Sequence, residues 1–204
     1  MHMDRRQFVK NLGLGTASLS MGSLVTASSC APSGDSSLKQ NVKEGEDGQF
    51  LFIGDDIAIA QTEYGKVQGY LLNHVYTFLG VPYGADTSGK NRFMPPQKPE
   101  PWTDVRPAVL YGNTAPQRME NRWPNNYGTF ADHWNYWDVS EDCLYLNVWT
   151  PGIADGKKRP VLVWLHGGGF TNGSGIEQDG YHGENISREG NIVFCSINHR
   201  LGAM

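Results

Sequence analysis

The chain has 204 residues, a net charge of −4, 39% hydrophobic and 19% charged residues, and 25 glycines. That length supports a domain with its own core, and the mild negative balance gives no electrostatic reason to expect nucleic acid as a partner. Its three cysteines, Cys30, Cys143 and Cys195, are odd in number, far apart and without zinc spacing, so the sequence calls for no disulfide framework, no metal and no cofactor.

Residues 1–29 read as an export signal. Arg5-Arg6-Gln7-Phe8-Val9-Lys10 is a basic start, and Asn11 to Ser29 is a mildly apolar stretch rich in Gly, Ser and Ala. The adjacent arginines resemble a twin-arginine signal. The alternative is an N-terminus that is never cleaved. Ala27-Ser28-Ser29-Cys30 resembles a lipobox, with Ala27 where a leucine is usual. Cys30 would then carry a lipid, and the polar stretch 30–56 would tether the domain to a membrane. With ordinary cleavage the protein would instead be free in the periplasm or cell envelope.

From Ile57 the pattern changes. Residues 57–71 alternate or turn at glycines in the manner of an antiparallel hairpin, and Val75 to Gly84 supplies a further strand and turn. Four prolines between Pro95 and Pro101 forbid helix and ladder alike, so that segment is extended surface chain. Residues 121–138 crowd Trp123, Tyr127, Phe130, Trp134, Tyr136 and Trp137 without helical or strand period. They either wall a ligand pocket, with Trp134 and Trp137 as candidate lining, or form a long connection held down by its own rings. Cys143 to Trp149 reads as a strand ended by Pro151.

Val161 to Leu165 is an apolar run that enters His166-Gly167-Gly168-Gly169. This predicts a buried strand ending in a loop almost free of side chains. Such a loop lets backbone N–H groups approach a developing negative charge. A polar segment of helix length, 175–190, precedes a third strand at 191–197. Strand, loop, strand, connection, strand is the start of an α/β sheet. The chain reaches Met204 directly after that strand, which suggests the N-terminal part of a longer protein.

Several motifs, in order, resemble the type-B carboxylesterases, the α/β-hydrolase family of para-nitrobenzyl esterases and cholinesterases. They are Phe78-Leu79-Gly80-Val81-Pro82-Tyr83, then Arg92-Phe93 with Pro95-Pro96 and Pro101-Trp102. Glu141-Asp142-Cys143-Leu144-Tyr145-Leu146-Asn147-Val148 follows, then His166 to Phe170, and Asn198-His199-Arg200-Leu201-Gly202 with His199 in place of a tyrosine. The resemblance covers residues 57–204 and implies an incomplete α/β-hydrolase fold: a small antiparallel sheet plus the first strands of the central sheet.

It also implies a serine hydrolase that cleaves small-molecule carboxylic esters through an acyl-enzyme. The family holds the oxyanion with three backbone N–H groups, two of which map onto Gly168 and Gly169. No G-x-S-x-G occurs in the sequence, so the nucleophile and the other triad members would lie beyond Met204, and the 204 residues alone are expected to be inactive. A non-catalytic binding or adhesion relative is the alternative. By the same resemblance Arg92 would pair with Glu141, and His166 would orient the oxyanion loop. The family's C-P-Q cysteine is Ala115 here, so the disulfide that this cysteine often makes with the E-D-C cysteine is not available to Cys143.

Overall fold

Glycines and prolines divide the first part of the chain into short strands. The computed structural model describes residues 50–118 and 138–202. Nine strands lie in these residues: β1 (Leu51–Phe52), β2 (Ile59–Gln61), β3 (Lys66–Gln68), β4 (Tyr70–Leu72), β5 (Val75–Pro82), β6 (Arg106–Pro107), β7 (Tyr145–Thr150), β8 (Val161–Trp164) and β9 (Val193–Ile197). One short helix, α1 (Glu184–Gly190), precedes β9.

Six strands form a mixed sheet in the order β1-β4-β5-β7-β9-β8, and β2, β3 and β6 form a smaller one. All neighbours in the larger sheet are antiparallel except β8 and β9, which run parallel. A parallel pair needs a crossover. Here the segment from 165 to 192 supplies it, carrying the glycine loop, a 3-10 turn at Asp179–Tyr181 and α1. Of the polar segment 175–190, only the last seven residues are α-helical. The rest serves the loop, because Gly175 and Gly183 are packed against β9 too tightly for a side chain. Leu51 and Phe52, within the stretch assigned to the tether, are paired with Leu72 and Leu71 as the edge of the larger sheet.

Alternation along β5, β7 and β9 builds two cores. Phe78, Val81, Leu146 and Val148 face Ala58, Val67 and Ala108 near the small sheet. Val75, Leu79, Trp149 and Phe194 pack on the opposite face, where the Ser187 hydroxyl of α1 donates to the Trp149 carbonyl at 3.1 Å. Trp149 is 1% exposed, and full burial of a side chain of that kind stabilises by roughly 2–3 kcal/mol. The register of β5 on β7 slips between Phe78 and Val81. Gly80 makes this bulge possible: its φ is +64°, and a Cβ would meet the Leu110 carbonyl oxygen at 2.6 Å. The Asn147 side chain then accepts the Gly80 N–H at 3.0 Å, so the bulge leaves no buried amide without a partner there.

β8 departs from the expectation of a buried strand. Val161 and Val163 are 64% and 54% exposed. The physical reason is its place in the sheet. Among the described residues β8 pairs only with β9, and only Tyr181 makes a ring contact with it, to Trp164 at 5.0 Å. An apolar run buries both faces only when helices cover both.

Candidate functional site

Beyond β8, Leu165 to Gly175 returns sharply over the C-terminal ends of β8 and β9. Positive φ values mark the turn: 109° at Gly168, 60° at Gly169, 61° at Phe170 and 110° at Gly173. A Cβ on Gly168 would collide with the carbonyl oxygen of Asn172, and one on Gly173 would meet His166 Nδ1 at 2.5 Å. Both glycines are therefore required by close approach as well as by φ.

Hydrogen bonds fix two successive peptide planes in this loop. Because a trans peptide is planar, its carbonyl and the next N–H point in opposite directions. The Gly167 carbonyl lies 2.8 Å from His166 Nδ1. A carbonyl can only accept, so Nδ1 carries the proton, and the Gly168 N–H is directed away from the histidine. The Gly168 carbonyl accepts from the N–H groups of Thr171 at 3.0 Å and Asn172 at 3.3 Å, which sets the Gly169 N–H in the same way. Among the described residues neither the Gly168 nor the Gly169 N–H meets an acceptor, and both glycines are exposed. Two fixed, free donors on adjacent residues, with no side chain in front of them, can bind an oxyanion or the oxygen of a polarised carbonyl.

Neighbouring segments brace the loop. Gln117 grips Gly173 at both ends, donating from Nε2 to its carbonyl at 2.9 Å and accepting its N–H at 2.7 Å. Asn198 accepts the Gly175 N–H at 2.8 Å and donates to the Asn113 carbonyl at 3.0 Å. The Tyr83 hydroxyl donates to the Asn198 carbonyl at 2.7 Å, and burial pushes that phenol up to about 12. His199 lies against His166, ring on ring, at 4.4 Å and 4°.

Arg92 and Glu141 meet through two parallel contacts of 2.7 Å each, from Nε and Nη2. The Thr87 hydroxyl donates to the Glu141 carbonyl. This pair ties the proline-rich segment to the approach of β7, and Arg200 adds a second tie by donating to the Met94 carbonyl at 2.7 Å. Arg92 is half exposed, so its contribution is geometric more than energetic.

The structure thus places His166, Gly168 and Gly169 in one loop and Arg92 with Glu141 at a separate clamp. Trp134, Trp137 and Cys30 lie outside the described residues. Gln117, Asn198 and His199 brace the loop and had no assigned role in the sequence. Their signal was present in Ala115-Pro116-Gln117 and Asn198-His199-Arg200, but spacing alone does not show that these segments meet. Cys143 and Cys195 are buried free thiols, each pushed up to about 11 by burial. Protonated at neutral pH, they are poor nucleophiles.

Residues 56–204 match the profile of the carboxylesterase family. The chain is 42% identical over 146 residues to the phenmedipham hydrolase of Pseudarthrobacter oxydans, covering 72% of this chain and 28% of that protein. It is 38% identical over 147 residues to the para-nitrobenzyl esterase of Bacillus subtilis, covering 71% and 28%. Among solved structures, an esterase from Clostridium hathewayi that can hydrolyse aliphatic aromatic polyesters superposes with a TM-score of 0.66 at 37% identity, covering 74% of this chain and 29% of that one. The chain therefore spans about a quarter of the length of the relatives it matches.

Proposed function

This chain belongs to the carboxylesterase family, and from that premise we propose that it supplies the oxyanion loop of an enzyme that hydrolyses carboxylic esters. Its sheet is an incomplete α/β-hydrolase fold, of the kind seen in its carboxylesterase structural neighbours. One observation supports the reading most directly: the fixed Gly167 and Gly168 carbonyls leave two adjacent N–H donors free at an exposed, glycine-lined turn.

In this reading a serine oxygen attacks the ester carbonyl carbon. The carbonyl oxygen gains negative charge and is held by the N–H groups of Gly168 and Gly169. The third donor is the residue after the serine. Collapse of the tetrahedral intermediate expels the alcohol and leaves an acyl-serine, which water then hydrolyses. In this reading polypeptide beyond Met204 supplies the serine, since G-x-S-x-G does not occur in the 204 residues, and with it the acid and histidine, which follow the serine in the family's chain order. His166 is a positioning residue, because its Nδ1 proton is committed to the Gly167 carbonyl.

The test is turnover of a short-chain p-nitrophenyl ester by the full-length enzyme and by the 204-residue chain. Burst kinetics and turnover are expected from the first and none from the second. Absence of turnover by the full-length protein would favour a binding role, and turnover by the 204-residue chain would remove the assignment of the triad. The basic start at Arg5-Arg6 supports export, and Ala27-Ser28-Ser29-Cys30 supports a lipid on the cysteine. Cell fractionation of wild-type and Cys30→Ala protein tests that placement.

A further inference from the structure

We propose that His199 is a positioning residue of the oxyanion loop, acting through its face-to-face stack on His166. The inference rests on the ester-hydrolase reading and adds a residue to it.

The chain of contacts is short. His166 Nδ1–H holds the Gly167 carbonyl at 2.8 Å. Because Gly167 and Gly168 share one peptide plane, the tilt of the imidazole sets the direction of the Gly168 N–H. The imidazole must therefore be held in its own plane. On one side stands Gly173, where a Cβ would sit only 2.5 Å from Nδ1. The ring of His199 lies parallel to that of His166, at 4.4 Å and 4°.

His199 is itself fixed. Its Nδ1 lies 2.8 Å from the Arg200 carbonyl, so this nitrogen also carries a proton. Phe170, at the far end of the glycine loop, packs on it at 5.8 Å and 53°. The Gly202 N–H donates to the Phe170 carbonyl at 2.6 Å, and Asn198 takes the Gly175 N–H at 2.8 Å. The segment following β9 thus meets the loop at Phe170, His166 and Gly175. Of these three contacts, the stack is the one that bears on the ring controlling the Gly168 N–H. A flat ring at position 199 is what the contact requires. Charge is not, since two protonated imidazoles at this separation would repel.

The experiment uses the full-length enzyme with a p-nitrophenyl ester and a trifluoromethyl ketone, which adds the serine to form a tetrahedral oxyanion. His199→Ala and the bulkier His199→Leu remove the flat face. Both are expected to lower kcat roughly tenfold, less than loss of a whole donor, with KM within about twofold. Affinity for the ketone should fall by about the same factor as kcat, while that for the product carboxylate stays within about twofold, since only tetrahedral species load the donors fully. His199→Phe is expected to recover most of the kcat lost in the alanine variant. Values of kcat for His199→Ala and His199→Leu within twofold of wild type would overturn the inference alone. So would an equal loss in His199→Phe, or a rise in KM at constant kcat. No turnover by the wild-type enzyme would remove the hydrolase reading and this inference with it.

Discussion

At the residue scale, the site depends on what is missing from side chains as much as on what is present. Gly168 and Gly173 are fixed by contacts that no Cβ can survive, and His166 by a bond to a carbonyl one residue away. Ala115 shows the same logic in a core. It is 2% exposed and shares a buried cluster with Cys143, Leu144 and Leu201. Ala115→Cys is therefore expected to form a disulfide with Cys143 under oxidising conditions. Closing the loop between them should stabilise by about 3.5 kcal/mol. Loss of two free thiols on oxidation and a melting temperature that falls again on adding reductant would show it; a full count of free thiols after oxidation would refute it.

The residues that could be named from sequence were those whose role is local. A triple glycine after an apolar run implies close backbone approach wherever it occurs. The Arg92–Glu141 clamp could be named only through family motifs, since the two lie 49 positions apart. His199 stood out only as a replacement for a tyrosine, with no role attached. Its partner is 33 positions away, and the stack exists because β8 and β9 run parallel and deliver both following loops to one end of the sheet.

At the element scale, strand identity was legible and strand environment was not. The apolar run Val161 to Leu165 forms β8, yet its residues are exposed, because hydrophobicity records what an element can bury and not whether a neighbour is there. The seven-residue helix α1 is weak by length alone. It is held by Ser187 on Trp149 and by Asn191, whose φ of 48° ends it in the left-handed conformation. At its start Gly183 lies against Phe194 and Trp149, so that a Cβ would approach Trp149 Cε3 to 2.7 Å. Gly183→Ala is expected to push α1 off the sheet and cost about 1–3 kcal/mol. An unchanged urea midpoint would show that this contact yields freely.

At the scale of the whole molecule, buried acids set the alkaline limit. Burial pushes Tyr83, Tyr111 and Tyr145 up to about 12 from 10.0, and Cys143 and Cys195 up to about 11 from 9.0. For Tyr145, the hydrogen bond to Asp142 adds to burial. In each case the folded chain keeps its proton at a pH where the unfolded chain has lost it. That stabilisation is complete below about pH 9 and is lost as pH rises through 11 to 12. The urea midpoint should accordingly be level from pH 7 to 8.5 and fall steadily above pH 9.5. A midpoint flat to pH 11 would mean that these groups reach solvent.

Sheet order, crossover and loop together serve one end: two backbone donors held open at the tip of β8. The most direct test is Gly168→Ala in the full-length enzyme, assayed on a p-nitrophenyl ester. The added Cβ meets the Asn172 carbonyl, so the turn must open and the donors must move. The expected result is a kcat lower by about 10²–10³-fold with KM little changed and the protein still folded. A folded variant with kcat within about threefold of wild type would contradict the assignment of this loop to the oxyanion.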